Sequence, residues 1–168
     1  LLTAKPVIYV FNVNEETLAS KDKKQSLRNL VPHSRSLFIC AKLEDEIKGL
    51  NPSDTLELLQ SYDVPEAGLT QMIRAAYDLL GLQSYLTAGP KEVRAWTIRQ
   101  GWTAPQAAGV IHTDFEKGFI AAQVVNYNDL VAAGSEANAR AAGKIRTEGK
   151  TYVMQPDDVV EFRFNVSK

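Results

Sequence analysis

Residues 8–16 read IYVFNVNEE, an apolar run that stops at Asn12 and is followed by two carboxylates. The run over 7–13 is continuous and rich in β-branched residues, which is typical of a strand buried on both faces of a parallel sheet. A second such run, SLFICA, follows at 36–41, and the polar stretch 15–30 between them predicts a surface helix. Strand, helix and strand in this order predict a right-handed βαβ crossover and therefore an α/β fold for this half of the chain.

A longer amphipathic segment, GLTQMIRAAYDLLG, follows at 68–81. Its apolar residues recur at helical spacing, which predicts a helix that faces the core and ends at Gly81 as its C′ residue. The positions on that face are Leu69, Met72, Ile73, Ala76, Tyr77 and Leu80.

After Gly81 the pattern changes to short strands around one helix. The strands are predicted around a Gly-Pro-Lys turn and later in the chain, at 84–89, 92–98 and 119–127. A Thr-Ala-Pro start at 103–105 predicts a helix, and the Ala-rich stretch 128–144 is expected to be helical in pieces. From 151 onward we predict a hairpin on a Pro-Asp-Asp turn. This order favours a compact α+β module of the β-grasp kind over 83–168.

The composition is that of an ordinary globular protein, with 45% hydrophobic and 23% charged residues and a net charge of −1 over 168 residues. Such a balance does not by itself require a nucleic-acid or membrane partner. The single cysteine, Cys40, excludes an intramolecular disulfide and favours a reducing, cytoplasmic location. No apolar run approaches the length of a membrane span. The chain starts without Met on a strand-like segment, which predicts a fragment rather than a signal peptide.

Two strand ends carry residues that suggest nucleotide recognition. Asn-Val-Asn-Glu follows the first strand at 12–15, and Cys-Ala-Lys follows the second at 40–42. This resembles the P-loop GTPases, in which one strand ends in Asn-Lys-x-Asp, whose Asp accepts from guanine, and a later strand ends in Ser-Ala-Lys. Here Val13 replaces the Lys and Glu15 replaces the Asp. Losing the short Asp removes a bidentate acceptor for guanine, whereas a carboxamide such as Asn12 can offer a donor and an acceptor to adenine.

The second half carries a more specific resemblance. TAGPKEVRAWTIRQGWTAPQAAGVIHTDFEKGFI at 87–120 and AAGKIRTEGKTYVMQPDDVVEFRFNV at 141–166 closely resemble the C-terminal region of the YchF/EngD group of Obg-like ATPases. The resemblance implies that 1–82 are the last strands of an Obg-type P-loop NTPase domain and that 83–168 are a TGS domain, which is a β-grasp module. It also implies a ribosome-associated, cytoplasmic protein that at full length binds and hydrolyses ATP, or GTP, with Mg²⁺, and that favours ATP.

The same resemblance implies a base pocket formed by both strand ends. Its residues would be Asn12, Val13, Glu15, Cys40, Ala41 and Lys42. Structural alternatives remain open beside this assignment. Asn12 would simply end a strand, and Asn14 would cap the following helix. Cys40 would be a small buried hydrophobe, and Lys42 a solvated surface lysine.

Gly149-Lys150-Thr151 matches the end of a phosphate-binding Walker A motif, but we reject this interpretation. The first glycine of the motif would fall on Lys144, and the loop would have to open a helix, whereas a strand is predicted after it. No other phosphate site, metal site or catalytic set is visible. The chain by itself is therefore predicted to be inactive and to hold no cofactor.

Residues that could contact RNA or a protein partner are scattered through the second half. They are five cations, one tryptophan and one histidine: Arg94, Arg99, Trp102, His112, Lys144, Arg146 and Lys150. If the cations converge, with the two arginines on a neighbouring strand, they form a patch that contacts phosphate. The alternative is that each cation faces a nearby acid: Glu92 for Arg94, Glu148 for Lys144 or Lys150, and Glu161 for Arg163. His112 beside Asp114 suggests general-base chemistry, but hydrogen bonding of the following turn is favoured.

Three interpretations therefore remain open. The first is the base-specificity part of an ATPase together with its TGS domain. The alternative is a TGS module that binds RNA, the ribosome or a protein without a catalytic role, with 1–82 as scaffold. A third, purely structural interpretation is a β-grasp domain that regulates its neighbour. The sequence does not determine the oligomeric state.

Overall fold

The computed structural model describes residues 1, 4–31, 35–89 and 92–165. The chain forms two compact units, Leu1–Leu80 and Gly81–Lys168, which we call the first and the second unit. Both mix helices with strands, so the fold is of the mixed α/β kind. Within the described ranges, no helix is long and apolar enough to cross a membrane.

The first unit combines a parallel strand pair with short helices. Its strands are β1 (Ile8–Asn12) and β2 (Arg35–Ile39), and its helices are α1 (Glu15–Ala19), α2 (Lys21–Arg28), α3 (Ala41–Glu46), α4 (Pro52–Ser61) and α5 (Gly68–Leu80). β1 and β2 pair in parallel, with Asn12 opposite Ile39, as predicted for consecutive strands joined by helices. The surface helix predicted at 15–30 is two helices, because Ser20 ends α1 and its hydroxyl accepts from the Lys23 N–H to start α2.

A small apolar core holds the first unit together. Its buried residues are Leu18, Phe38, Cys40, Leu43, Leu59 and Val64. Phe11 of β1 stacks on Phe38 of β2 with ring centroids 5.2 Å apart, so the two strands also share an aromatic contact.

Two predictions of burial in this unit are wrong. β1 is not buried on both faces, because Val10 is 40% exposed. The apolar face of α5 is also open, with Leu69 57% and Ile73 52% exposed. A pair of strands has too little area to cover both its own second face and a 13-residue helix. The helix itself is confirmed, and it ends at Gly81 with φ +63°.

The second unit is built on one five-stranded sheet. Its strands are β3 (Leu82–Ala88), β4 (Val93–Arg99), β5 (Phe119–Asn126), β6 (Arg146–Glu148) and β7 (Asp158–Phe164). Its helices are α6 (Ala104–Ile111), α7 (Thr113–Lys117), α8 (Tyr127–Ala133) and α9 (Glu136–Ala141). The strand order is β4-β3-β7-β5-β6, in which β3 and β7 are parallel and the other neighbours antiparallel. Of the predicted Gly-Pro-Lys turn, Pro90 and Lys91 lie outside the described residues.

The two faces of this sheet are covered differently. Successive residues of β5 point to opposite sides, so Val124 joins the core under α6 and α7, and Val125 joins a smaller core under α8 and α9. In the larger core, the hydroxyl of the fully buried Tyr85 donates to the backbone C=O of Ala107 at 3.0 Å. The smaller core is centred on Val125, Ala139 and Val159.

The hairpin predicted from 151 onward does not form. β7 is the central strand of the sheet, and both of its edges are taken, by β3 and by β5. The segment before β7 therefore pairs with another part of the chain. The Met154 N–H donates to the Trp102 C=O at 2.9 Å, and the Ala104 N–H donates to the Tyr152 C=O at 2.8 Å.

Candidate functional site

The candidate site lies at the carboxyl ends of β1 and β2, where the parallel pair brings together residues that are far apart in sequence. Asn12 is the last residue of β1, and its Oδ1 accepts from the backbone N–H of Ala41 at 3.1 Å. The Val13 N–H donates to the Ile39 C=O at 2.8 Å, so the chain leaves β1 while still attached to β2. Ligands of open α/β sheets bind at this edge.

An ion pair makes a second link between the two strand ends. Lys42 Nζ lies 2.7 Å from Glu15 Oε1 and 3.7 Å from Glu46 Oε1. The hydrogen bond from Lys42 holds the pKa of Glu15 below its usual value, and the same bond raises the pKa of Lys42. Both groups are therefore charged at neutral pH. The Lys42 side chain is 70% exposed, which places the pair on a surface that a ligand can reach.

Three other residues of the strand ends are engaged in the fold. Asn14 caps α1, because its Oδ1 accepts from the Thr17 N–H at 3.0 Å. Cys40 is 3% exposed and belongs to the core of the first unit. Val13 is half-buried and packs against that core, so part of its side chain is not available to cover a base.

The linked residues form a polar rim without a reaction centre. The Nδ2 of Asn12 has no hydrogen-bond partner among the described residues, while one Glu15 oxygen is held by Lys42. An amide donor beside an ion pair can recognise the edge of a base, but it cannot by itself transfer a phosphoryl group. In the described part of the chain, no group of three or more His, Cys, Asp or Glu residues could hold a metal ion.

The segment that resembles the end of a Walker A motif lacks the required geometry. Gly149, Lys150 and Thr151 follow β6, but no helix begins after them. The next pairing is an isolated bridge between Val153 and Thr103, and the next element is β7. A phosphate loop needs the free N–H groups of a helix N-terminus, so this segment does not form one.

The cations of the second unit do not converge. Arg94 and Arg99 lie on β4, at one edge of the sheet, and Arg146 lies on β6, at the other edge. The prediction that β4 is a neighbour of the 144–150 segment is therefore wrong. Its physical reason is the central position of β7, which, with β3 and β5, separates the two edges.

Most of these cations face acids. The pairs are Lys144 with Asp129 at 3.2 Å, Arg146 with Glu148 at 3.6 Å, and Arg94 with Glu92 at 3.7 Å. The guanidinium of Arg94 also lies 4.1 Å from the ring centroid of Trp96. Arg99 and Lys150 are exposed and form no ion pair with any described residue. The expected pairing of Arg94 is confirmed, whereas Glu148 faces Arg146 and not a lysine.

His112 and Trp102 are both tied to the local fold. His112 lies between α6 and α7, and its Nδ1 accepts from the Asp114 N–H at 3.2 Å, which caps α7. This is the turn-stabilising arrangement that the sequence favoured. Trp102 is half-buried and packs against the larger core of the second unit.

The sequence reasoning missed a buried carboxylate at the start of β7. Asp158 is 2% exposed, and its Oδ2 accepts from the Tyr152 hydroxyl at 2.9 Å and from the Gln155 N–H at 2.8 Å. Burial raises the pKa of Asp158 above its usual value, and burial also raises the pKa of Tyr152 to about 12. The available signal was the Gln-Pro-Asp-Asp turn, in which a carboxylate accepts local backbone N–H groups.

Comparisons with known proteins place the chain in a family. The family YchF-GTPase_C, described as a protein of unknown function (DUF933), matches residues 82–165. The chain is 46% identical over 171 residues to the ribosome-binding ATPase YchF of Bacillus subtilis, with 99% of this chain and 47% of that protein covered. It is 48% identical over 167 residues to the protein of the same name in Pasteurella multocida, with 98% and 46% covered.

A solved structure agrees with these relatives. The YchF GTPase of Schizosaccharomyces pombe matches with a TM-score of 0.77 and 37% identity, covering 97% of this chain and 44% of that chain. The chain therefore spans about half the length of the relatives it matches. The resemblance to the YchF/EngD group predicted from 87–120 and 141–166 is confirmed.

Proposed function

Because this chain belongs to the YchF family, we propose that it works within a ribosome-associated protein that binds and hydrolyses ATP, or GTP, with Mg²⁺. In this proposal 1–82 belong to an Obg-type nucleotide-binding domain and supply its base-recognition edge. Residues 83–168 form a TGS domain. The names of the relatives, ribosome-binding ATPase, support both the activity and the partner.

The hydrogen bond between Asn12 and Ala41 is the observation that carries the nucleotide part. In the resembled P-loop pattern, the Asn at the end of the strand braces the loop and the base. Here the Oδ1 of Asn12 accepts from the N–H of Ala41, 29 residues further on, and Lys42 beside it pairs with Glu15. Asn12 and Lys42 thus match the pattern and link the two strand ends, while Glu15 stands in place of its Asp.

The contacts of Glu15 support ATP over GTP. Guanine presents two neighbouring donors, which need a free carboxylate that can accept from both. One oxygen of Glu15 already accepts from Lys42 at 2.7 Å, so Lys42 competes with the two guanine donors for this carboxylate. The Nδ2 of Asn12 has no partner among the described residues and is available to donate to N7, an acceptor that adenine and guanine share, so the preference rests on Glu15.

The sheet of the second unit supports the TGS assignment. A central β7 lies parallel to the first strand of the unit, β3, and α6 packs across one face, and both features support a β-grasp module. We propose that this module contacts the ribosome or RNA. Lys144, Arg146 and Lys150 supply the cations on one edge, and Lys150 has no ion-pair partner among the described residues.

The test uses a full-length protein that contains this chain and measures ATP and GTP affinity by calorimetry. Asn12→Ala is expected to weaken ATP binding by about 3–10-fold, because it removes a hydrogen bond of ordinary strength. The matched control is Asn14→Ala, which removes only the cap of α1 and should leave nucleotide affinity unchanged.

A second pair of substitutions tests base choice. Val13→Lys combined with Glu15→Asp restores the Asn-Lys-x-Asp pattern and should raise affinity for GTP relative to ATP by about 1–3 kcal/mol. An unchanged ratio of the two affinities would remove 12–15 from the base pocket.

A further inference from the structure

The second unit contains a cavity that the proposed function does not use. Its volume is about 560 Å³, and it opens on the face of the sheet opposite to α6 and α7. The floor is made by Val125 of β5 and Val159 of β7, and apolar walls are added by Leu130, Val131 and Ile145. Cavities of roughly 300–1,000 Å³ with mostly apolar linings are the usual sites for small molecules.

The cavity exists because the helices on this face are short. α8 has 7 residues and α9 has 6, and Gly134 with φ +73° turns the chain between them. Ser135 then starts α9, its side chain accepting from the Asn138 N–H at 3.2 Å. Residues of α8, of the turn and of the start of α9 therefore line the cavity, while strand residues make its apolar floor.

One buried side chain of this cavity has a hydrogen-bond donor without a partner among the described residues. Gln123 is 8% exposed and lines the cavity. Its Oε1 accepts from Arg140 Nη2 at 2.9 Å, but its Nε2 has no hydrogen-bond partner among the described residues. A buried donor without an acceptor has an unfavourable free energy of desolvation. A ligand that supplies a carbonyl oxygen to this donor would offset that cost.

Among the described residues that line the cavity, the ionisable groups are two acids. Glu161 lies opposite Gln123 in the pairing of β5 with β7, and it is exposed and forms no ion pair with any described residue. Glu136 also lines the cavity, but it forms an ion pair with Arg140, whose Nη2 lies 2.8 Å from the Glu136 Oε1. Glu161 is therefore the uncompensated charge at the mouth, and it favours a cation.

We propose that this cavity binds a small amphipathic amine that carries a hydrogen-bond acceptor. The apolar group would lie on Val125 and Val159, the carbonyl oxygen would accept from Nε2 of Gln123, and the ammonium would lie beside Glu161. Such a site differs from base recognition at the strand ends of the first unit and from phosphate contact along 144–150.

The test titrates the full chain with three small molecules while its backbone amides are followed by ¹H–¹⁵N NMR. Phenylalaninamide has the apolar group, the carbonyl and, below the pKa of its amine, the cation. N-acetylphenylalanine keeps the ring and replaces the cation with an anion, and glycinamide keeps the cation and lacks the ring. Only phenylalaninamide is expected to shift the amides of Gln123, Val125 and Val131 in a saturable way.

Two substitutions locate the contacts. Glu161→Gln removes the exposed charge and is expected to weaken phenylalaninamide binding by about 3–10-fold. Gln123→Leu removes the unpaired donor and is expected to weaken it by a similar factor. The matched control is Glu116→Gln, which makes the same change on an exposed residue of α7, a helix of the opposite face, and should leave binding unchanged.

Several results would overturn the proposal. Equal shifts with N-acetylphenylalanine, shifts that do not saturate, or equal affinity in the Glu161→Gln and wild-type chains would each exclude an amine site here. Tighter binding of the peptide Phe-Gly-Gly-Gly than of phenylalaninamide would overturn the assignment to a small molecule and favour a peptide N-terminus. The folded state of each variant is read from the dispersion of the same spectra, so a loss of binding in a dispersed spectrum supports the proposal.

Discussion

The two units hold their polar groups in opposite ways. In the first unit, Asn12, Glu15 and Lys42 join two strand ends at an edge that solvent reaches, and the Lys42 side chain is 70% exposed. In the second unit, Asp158 is 2% exposed and is enclosed by Tyr152 and its own turn. An exposed link contributes little to stability and remains available to a ligand, whereas a buried one is part of folding. Substitutions at the two places should therefore separate ligand recognition from stability.

The largest effect is expected in the buried segment of the second unit. Met154 is 1% exposed and contributes to the larger core. Met154→Ala should lower the free energy of unfolding by about 2–5 kcal/mol, because it removes buried apolar area and leaves a residual cavity. Tryptophan fluorescence recorded during urea denaturation measures this free energy, because both tryptophans, Trp96 and Trp102, lie in this unit. The neighbouring Val153 is 41% exposed, so Val153→Ala should cost clearly less; equal losses would contradict the burial difference.

The next effect concerns pH and the buried carboxylate. Because burial raises the pKa of Asp158 in the folded state, the folded chain binds that proton more tightly than the unfolded chain. The stability of the wild type relative to Asp158→Asn should therefore rise as pH falls through the raised pKa, by about 1.4 kcal/mol for each pKa unit of difference. The gain is complete below the unfolded value of about 4.

The measurement compares the urea midpoints of the two proteins at about pH 7 and about pH 4. Asn keeps an oxygen that can accept from the Gln155 N–H, so the fold should survive the substitution. A difference between the midpoints that stays constant with pH would show that Asp158 does not titrate abnormally.

The sequence predicted most elements of both units because local signals decided them. Thr103 and Gln106 show this at the start of α6, where the Thr103 N–H donates to the Gln106 side chain at 2.9 Å. Apart from the break at Ser20 and the missed turn at Asp158, the failures were of long range. The partner of β7 and the distance between β4 and β6 depend on strand order, which hydrophobic periodicity does not contain. The exposure of α5 depends on how much sheet is present to cover it.

For the candidate site, the sequence predicted which strand ends meet but not the hydrogen bonds that they form. The pairing of β1 with β2 follows from the strand–helix–strand order, and parallel pairing brings 12–15 next to 40–42. That Asn12 would accept from Ala41 rather than only end a strand was not decided by the residues alone. Gln123 was not anticipated at all, because one glutamine in an apolar strand gives no sign that its amide is buried with a free donor.

A smaller effect, on ribosome or RNA binding, is expected at the β6 edge of the sheet in the second unit. Replacing Lys144, Arg146 and Lys150 together with Ser should weaken ribosome or RNA binding. The slope of the salt dependence should fall by about one unit for each phosphate that the variant no longer neutralises. The structure supplies a control, because Arg94 and Arg99 lie on the opposite edge of the sheet, and their double replacement with Ser should leave the slope unchanged. If both sets behave like the wild type, the partner surface lies elsewhere, and Trp102 and His112 become the next candidates.

The smallest effect on stability is expected at the exposed link itself. Lys42→Ala breaks the pair with Glu15, and since both groups lie at the surface we expect no measurable change in the urea midpoint. The pKa of Glu15 should nevertheless rise toward its usual value, because the hydrogen bond from Lys42 is the main cause of its lowering. Carbon NMR titration of the Glu15 carboxyl measures this shift.

Lys23→Ala is the matched control for that titration. It breaks the exposed pair with Glu16, whose pKa Lys23 lowers in the same way, and should leave Glu15 unchanged. In the wild type the lowered pKa of Glu15 means that any contribution of the pair to stability is present above the pKa of the unfolded state. It disappears as pH falls through the pKa of the folded state.

In a full-length protein, Lys42→Ala also frees both Glu15 oxygens to accept from a base. Affinity for GTP relative to ATP should then increase while stability does not change, and the opposite outcome would show that the link serves the fold rather than recognition.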